Sequence, residues 1–208
     1  MTFSLTLTVL AAVLGLALGT LLALCRMSSL KWLSVPATLY VNGMRSVPLL
    51  LVIFWFYFLA PYVGAWITNS PTPVQVGAYR SAVITFTLFE AAYFCEIMRA
   101  GILSIGKGQL NAGLALGLTY AQVMKTIVLP QALRNMTPAL LTRVITLFQD
   151  TSLVYVLSMT DFFGAISDIA SRDGTMVPMY LFAAAVYFVI CFGAPRFVGH
   201  FETARHAH

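Results

Sequence analysis

The stretch Leu5–Leu24, LTLTVLAAVLGLALGTLLAL, decides the class of fold. It contains no charged residue and is as long as a helix must be to cross the hydrocarbon core of a bilayer, about 20 residues. The whole chain of 208 residues has the same character, with 60% hydrophobic and 9% charged residues, whereas soluble domains carry about 25% charged residues. This composition excludes a soluble enzyme, a disordered chain and a small secreted scaffold. It predicts an all-α membrane protein with several spans.

A cleavable signal peptide is the alternative explanation of the first apolar run. No basic residue precedes the run, no A-x-A-like cleavage site follows it, and Arg26 and Lys31 lie on its far side. We therefore interpret it as a spanning helix. A small residue recurs at every fourth position, which allows close packing of helices; these residues are Ala11, Gly15, Gly19 and Ala23.

Counting apolar runs of sufficient length gives five predicted spans within a single transmembrane domain over residues 1–208. They cover about 5–24, 39–60, 77–97, 138–157 and 177–194. The loops that follow spans one, three and five are basic, whereas residues 61–76 contain no Lys or Arg and residues 158–176 carry three Asp against one Arg. Because basic residues collect on the cytoplasmic side, the N-terminus is predicted outside and the C-terminus in the cytoplasm. The net charge of +5 is scattered along the chain, which argues against nucleic-acid binding.

The cysteines, the histidines and the known catalytic motifs give no indication of a metal or catalytic site in this sequence. The cysteines Cys25, Cys95 and Cys191 are far apart and have no ligand spacing, and all histidines fall in the last nine residues, which we interpret as a polar tail. We predict neither a metal site nor a disulfide. The chain has no HExxH, GxSxG or GxxxxGK[ST] motif, so we expect neither a membrane-embedded enzyme nor ATP hydrolysis by this chain.

The predicted cytoplasmic loop at about 105–131 has the composition of two short helices, Leu110–Leu116 and Ala121–Val128, separated by Gly117 and closed by Pro130. It resembles the EAA loop of permease subunits in bacterial ATP-binding-cassette importers, whose pattern is E-A-A, three residues, Gly, nine residues and I-x-L-P. Every spacing fits, and the matching positions are Asn111, Ala112, Gly113, Gly117, Ile127, Leu129 and Pro130. Asn111 stands in place of the Glu of the pattern, and Gly113 stands in place of its second Ala. We expect these departures to weaken one ionic contact with the ATPase.

Four further segments match the polar amino acid (histidine/glutamine-type) permeases of that family in the same order. Arg45–Leu49 fits R-x-x-P-L, and Ala92–Gly101 fits A-Y-x-x-E-x-x-R-x-G; the other two are LPQA at 129–132 and DTSL at 150–153. The segments 89–93 and 148–157 are most similar to the branch that imports glutamate and aspartate. Many relatives have Lys in place of Gln149. Members of the family usually also have a short polar lead before the first helix, whereas this chain opens almost inside it, so we expect the N-terminus of this sequence to be truncated or misassigned.

The resemblance implies the type I importer permease fold, a coupling-helix loop and a multi-pass location in the bacterial inner membrane. It implies two ATPase subunits that bind ATP and Mg, a second permease subunit (a paralogue or a copy), an extracytoplasmic amino-acid-binding protein, and surrounding lipid. Transport of acidic L-amino acids by alternating access is the expected function. Transport of glutamine or a basic amino acid stays open, because the binding protein usually sets selectivity in this family. A non-transporting membrane anchor would have no use for an EAA loop.

Charges inside spans are costly and indicate function. Arg143, Thr146 and Asp150 are offset by three and seven residues and share a helical face. Arg143 is either the group that draws a substrate carboxylate or a structural cation neutralised by Glu90 or Asp150. In the first hypothesis Thr146, Gln149 and Thr151 are hydrogen-bond donors near it. Glu96 and Arg99 are offset by three, which predicts an intrahelical pair or a gate link.

Overall fold

The computed structural model describes residues 1–74 and 76–196 in full and residues 197–205 as backbone. In that part of the chain every regular element is a helix. In chain order they are α1 (Thr2–Met27), α2 (Lys31–Arg45), α3 (Leu49–Thr68), α4 (Ala78–Leu103), α5 (Lys107–Ala115), α6 (Tyr120–Leu157), α7 (Phe162–Asp173) and α8 (Met176–Arg205). Five of them, α1, α3, α4, α6 and α8, are long and apolar enough to cross a membrane, which confirms the predicted number of spans.

The second predicted span, 39–60, is wrong in position. Its first residues belong to the end of α2, the helix breaks at Ser46–Pro48, and α3 begins at Leu49. The residue before a proline is disfavoured in the helical conformation, so the chain leaves the helix at Val47. The backbone N–H of Ser46 closes α2 by donating to the carbonyls of Asn42 and Gly43. A count of apolar residues runs across this break because the residues on both sides are apolar.

The fourth predicted span, 138–157, lies within a helix that begins well before it. Helix α6 begins at Tyr120 and continues through both Pro130 and Pro138, so Pro130 does not end a helix as predicted. A proline removes one backbone donor and its ring crowds the carbonyl four residues earlier. A wider π-helical turn over Met124–Val128 lies directly before Pro130, and it makes room for the ring without interrupting the helix.

The contacts divide the chain into two compact units. Unit one comprises residues 1–11, 50–85 and 142–208. It contains α7, which the sequence interpretation treated as a simple loop. Two groups cap the start of α7: the Asp161 carboxylate accepts from the N–H groups of Phe163 and Gly164 at 3.1 and 2.7 Å, and the Ser4 hydroxyl accepts from the N–H of Phe162 at 3.1 Å. These contacts fix α7 against the beginning of α1.

Unit two comprises residues 12–49 and 86–141. Here the small residues of α1 allow α4 to come close, as predicted. A Cβ on Gly19 would lie 2.8 Å from the carbonyl oxygen of Ala91, so no side chain fits there. Helix α2 joins the same packing through Val41, which is fully buried, and through Tyr40, whose hydroxyl donates to the Leu88 carbonyl at 2.7 Å. These contacts position the charged end of α4.

Candidate functional site

The EAA-like segment folds as a pair of packed helices, which we call the helical pair: α5 and residues 120–128 of α6. Gly117 lies in the turn between them with φ = +82°, and a Cβ built on it would meet nothing within 4 Å. Lack of space therefore does not explain the glycine. The requirement is conformational, because other L-residues rarely adopt a positive φ.

The second helix of the pair starts with a capping box. The backbone N–H of Thr119 donates to the Gln122 side-chain oxygen at 2.8 Å, and the backbone N–H of Gln122 donates to the Thr119 hydroxyl at 3.4 Å. Two backbone donors at the helix start are thus satisfied reciprocally. The turn and the start of the second helix are therefore defined by local residues.

Gly113, which replaces the second Ala of the family pattern, lies where the two helices of the pair meet. A Cβ there would be 2.6 Å from Cγ2 of Val123 and 3.3 Å from Cδ1 of Ile127, and Val123 is fully buried. The glycine is therefore explained by the branched side chain opposite it. The helical pair is a tightly packed unit.

The outer surface of the helical pair carries exposed apolar side chains. Leu116 is 81% exposed and Tyr120 is 61% exposed, and Asn111 and Ala112 are exposed beside them on α5. Leu129 and Pro130, the last residues of the pattern, are exposed as well. Exposed apolar residues of this size on a polar segment are typical of a protein contact surface.

In unit one the structure brings together the three predicted residues of the span-four face. Nη2 of Arg143 lies 3.7 Å from Oδ2 of Asp150, and the side chains are 13% and 27% exposed. Thr146 lies between them and donates to the Thr142 carbonyl at 3.1 Å. Arg143 and Asp150 form an ion pair, as the structural alternative predicted.

The other predicted substrate-pathway residues differ in their surroundings. Gln149 is exposed. Thr151 is fully buried and its hydroxyl donates to the Phe148 carbonyl at 2.7 Å, so this donor is already used within its own helix. Glu90 belongs to unit two, where it is fully buried and packs against Gly15 of α1.

At the end of α4 the structure shows more than the predicted Glu96–Arg99 pair. The Glu96 carboxylate accepts hydrogen bonds from both Arg99 and Arg26, and Nη1 of Arg45 lies 3.9 Å from it. Arg26 also reaches the Asn42 side chain at 3.4 Å. We call Arg26, Arg45, Arg99 and Glu96 the arginine cluster. Sequence reasoning missed Arg26 and Arg45 because they come from α1 and α2; the match of Arg45 to R-x-x-P-L was the one signal that could have found it.

No group of three His, Cys, Asp or Glu side chains could hold a metal ion among the side chains that the structure describes. The side chains of His200, His206 and His208, interpreted above as a polar tail, lie outside that part.

Comparisons with known proteins agree with this architecture. Residues 15–206 match the family model described as the binding-protein-dependent transport system inner membrane component. The glutamate/aspartate import permease protein GltK of Escherichia coli O157:H7 is 50% identical over 201 residues, covering 96% of this chain and 88% of that protein. The probable glutamine ABC transporter permease protein GlnP of Bacillus subtilis is 36% identical, covering 85% and 76%.

A solved structure described as an amino acid ABC transporter with histidines superimposes with a TM-score of 0.87 at 29% identity, covering 98% of this chain and 91% of that one. The matches extend over both units and all five apolar helices. The chain therefore belongs to the family of inner-membrane components of binding-protein-dependent transport systems, as a multi-pass ATP-binding-cassette amino-acid permease subunit rather than an enzyme.

Proposed function

We propose that this chain is the permease subunit of an ATP-driven importer that moves glutamate and aspartate into the cytoplasm by alternating access. The observation that carries the proposal is the 50% identity, over 96% of this chain, to a permease named for glutamate and aspartate import. The chain works with two ATPase subunits, which bind ATP and Mg, with a second permease subunit and with an extracytoplasmic binding protein. The N-terminus is outside and the C-terminus is in the cytoplasm.

In this function the helical pair is the contact with the ATPase. Its exposed apolar surface around Leu116 and Tyr120 seats in a cleft of that subunit. The packing of Gly113 against Val123 makes the pair move as one piece. Because the second helix of the pair continues without a break into span four, nucleotide-driven motion of the ATPase is transmitted to the membrane by a rigid helix.

The Arg143 face is the candidate substrate contact. An anionic substrate needs a positive group in its path, and Arg143 is the basic residue deepest within α6. Its partner Asp150 is 3.7 Å away, so the pair lowers the cost of holding a charge inside the membrane. We propose that a substrate carboxylate competes with Asp150 for Arg143, with Thr146 and Gln149 as neighbours on the exposed side.

Import of another polar amino acid is the alternative, favoured by the 36% identity to a probable glutamine permease. Reconstitution of the complete complex, with its binding protein, separates the two. We expect glutamate and aspartate to stimulate ATP hydrolysis and uptake, and glutamine to do neither. Stimulation by glutamine or a basic amino acid alone would replace the proposed substrate, and stimulation by no amino acid would favour a non-transporting subunit.

Replacing Arg143 tests the substrate contact. We expect Arg143→Gln to lower glutamate uptake at least tenfold, because a charge-assisted contact with the carboxylate is lost, with Arg143→Lys intermediate. Arg172→Gln is the matched control, since Arg172 is 73% exposed and pairs with its neighbour Asp173; it should transport normally. Unchanged affinity and rate in Arg143→Gln would leave Arg143 a structural role only.

A further inference from the structure

The arginine cluster contains more positive charge than its own carboxylate neutralises. Three guanidinium groups, from Arg26, Arg45 and Arg99, surround the single carboxylate of Glu96, so the cluster carries a formal charge of +2 (three minus one). Arg26 and Arg99 take up the hydrogen bonds to Glu96. Arg45 is the third cation, and Glu96 does not require it.

The position of Arg45 differs from that of the other two arginines. Its Nη1 lies 3.9 Å from Glu96, beyond hydrogen-bond distance. Its guanidinium lies over the ring of Tyr93, 5.4 Å from the ring centroid, a cation–π arrangement that fixes the plane of the group. The Arg45 side chain is 38% exposed, against 14% for Arg26. A guanidinium has five N–H donors, and the Arg45 side chain borders open space.

That space is a cavity of about 320 Å³ within unit two. Arg45, Tyr93 and Glu96 line it from α2 and α4, Ala100 forms part of its apolar wall, and Asn135 closes it from α6. Asn135 donates to the Ser104 hydroxyl at 2.8 Å, which ties this wall to the end of α4. The volume lies at the lower end of the range of ligand cavities, about 300–1,000 Å³.

We propose that this cavity is a binding station for the transported amino acid, in addition to the Arg143 face. Arg45 binds a carboxylate of the solute, and the net positive charge of the cluster favours a solute with more carboxylates than ammonium groups, as glutamate and aspartate have. This inference rests on the proposed function. In the proposed orientation the station lies toward the cytoplasmic end of spans one and three, where solute leaves the membrane.

A cysteine placed in the cavity wall tests the station by binding alone. Ala100 is exposed in the cavity. The Ala100→Cys chain is assembled into the complex without nucleotide or binding protein, in nanodiscs of neutral lipid. Its added thiol is then labelled with a sulfonate-bearing thiosulfonate. The parent chain without the added cysteine gives the background. We expect glutamate to slow labelling, and Arg45→Gln to raise the half-protecting glutamate concentration roughly tenfold or more. Lys31→Gln removes the same charge from the start of α2, outside the cavity, and should change nothing.

Two outcomes overturn the station. One is glutamate protection of the Ala100→Cys chain that is equal with and without the Arg45→Gln substitution. The other is no glutamate protection of the Ala100→Cys chain, a result that does not depend on whether Arg45→Gln assembles. Protection by anionic lipid in the nanodisc, without protection by glutamate, also counts against it and assigns the charge to a lipid phosphate. Glutamate uptake is measured in the same preparation, and its absence despite Arg45-dependent protection counts against the proposed function and leaves the station standing.

Discussion

Gly117 has a positive φ of +82° and open space around its Cβ position, so the backbone alone demands a glycine. A left-handed conformation costs an ordinary L-residue about 1–2 kcal/mol, and asparagine pays less than a β-branched residue. We expect Gly117→Val to insert and assemble but to lose most glutamate-stimulated ATP hydrolysis, with Gly117→Asn keeping more of it. ATP hydrolysis and uptake by the reconstituted complex are the measurements.

The control for this prediction is Gly108, a glycine of α5 that also has open space around it but has no positive φ. Gly108→Val and Gly108→Asn should retain coupling. If both Gly117 variants failed equally, the turn would be sensitive to any side chain, and a contact with the ATPase rather than backbone conformation would explain the glycine.

Single residues were predictable from sequence where their requirement is local. The glycine of the turn is such a case, because its spacing in the EAA-like pattern identifies a tight turn without knowledge of the rest of the fold. Arg26 and Arg45 were not predictable as partners of Glu96, since their meeting depends on how α1 and α2 pack on α4. Nor does the sequence show that the Thr151 hydroxyl donates back to the Phe148 carbonyl.

At the scale of elements, the prediction succeeded for long apolar helices and failed at prolines. The spans of α1, α4 and α8 were recognised because hydropathy depends on composition alone. Pro48 follows a helix break that an apolar count cannot see, whereas Pro130 lies inside a continuous helix because a π-helical turn precedes it. Whether a proline ends a helix is decided by neighbouring hydrogen bonds, which single-sequence patterns do not reveal.

The packing of the helical pair gives a prediction at the same scale. Gly113→Ala would place a Cβ 2.6 Å from Val123, and overpacking of this kind costs about 1–3 kcal/mol. We expect this variant to lower the thermal unfolding temperature of the complex and its coupling. Val123→Ala alone leaves a void. The destabilisation of the double variant should be smaller than the sum of the destabilisations of the two single variants, because the new Cβ at position 113 fills that void.

Gly108→Ala is the matched control for the packing, because the same change on the same helix meets open space. It should be neutral or stabilising, since alanine favours a helix by about 1 kcal/mol over glycine. Additive effects of the Gly113 and Val123 changes would show that the two residues do not contact each other, contrary to the structure.

For the molecule as a whole, the corrected helix bounds leave the charge asymmetry between loops intact. The connection 69–77 between α3 and α4 holds no Lys or Arg, and the segment 158–175 holds Asp161, Asp168 and Asp173 against Arg172. Of 12 Lys and Arg residues, nine lie at or beyond the opposite ends of the spans. They are Arg26, Lys31, Arg45, Arg99, Lys107, Lys125, Arg134, Arg196 and Arg205.

This asymmetry predicts the orientation, because basic residues are retained on the cytoplasmic side. We expect a fluorescent protein fused to the C-terminus to fold and fluoresce in the cytoplasm, and alkaline phosphatase inserted after Ser70 to be active outside. Phosphatase inserted after Gly106, in the connection before α5, is the control and should be inactive. Phosphatase activity after Gly106 but not after Ser70 would show that the protein has the opposite orientation. The helical pair and the arginine cluster would then lie on the side of the membrane away from the ATPase.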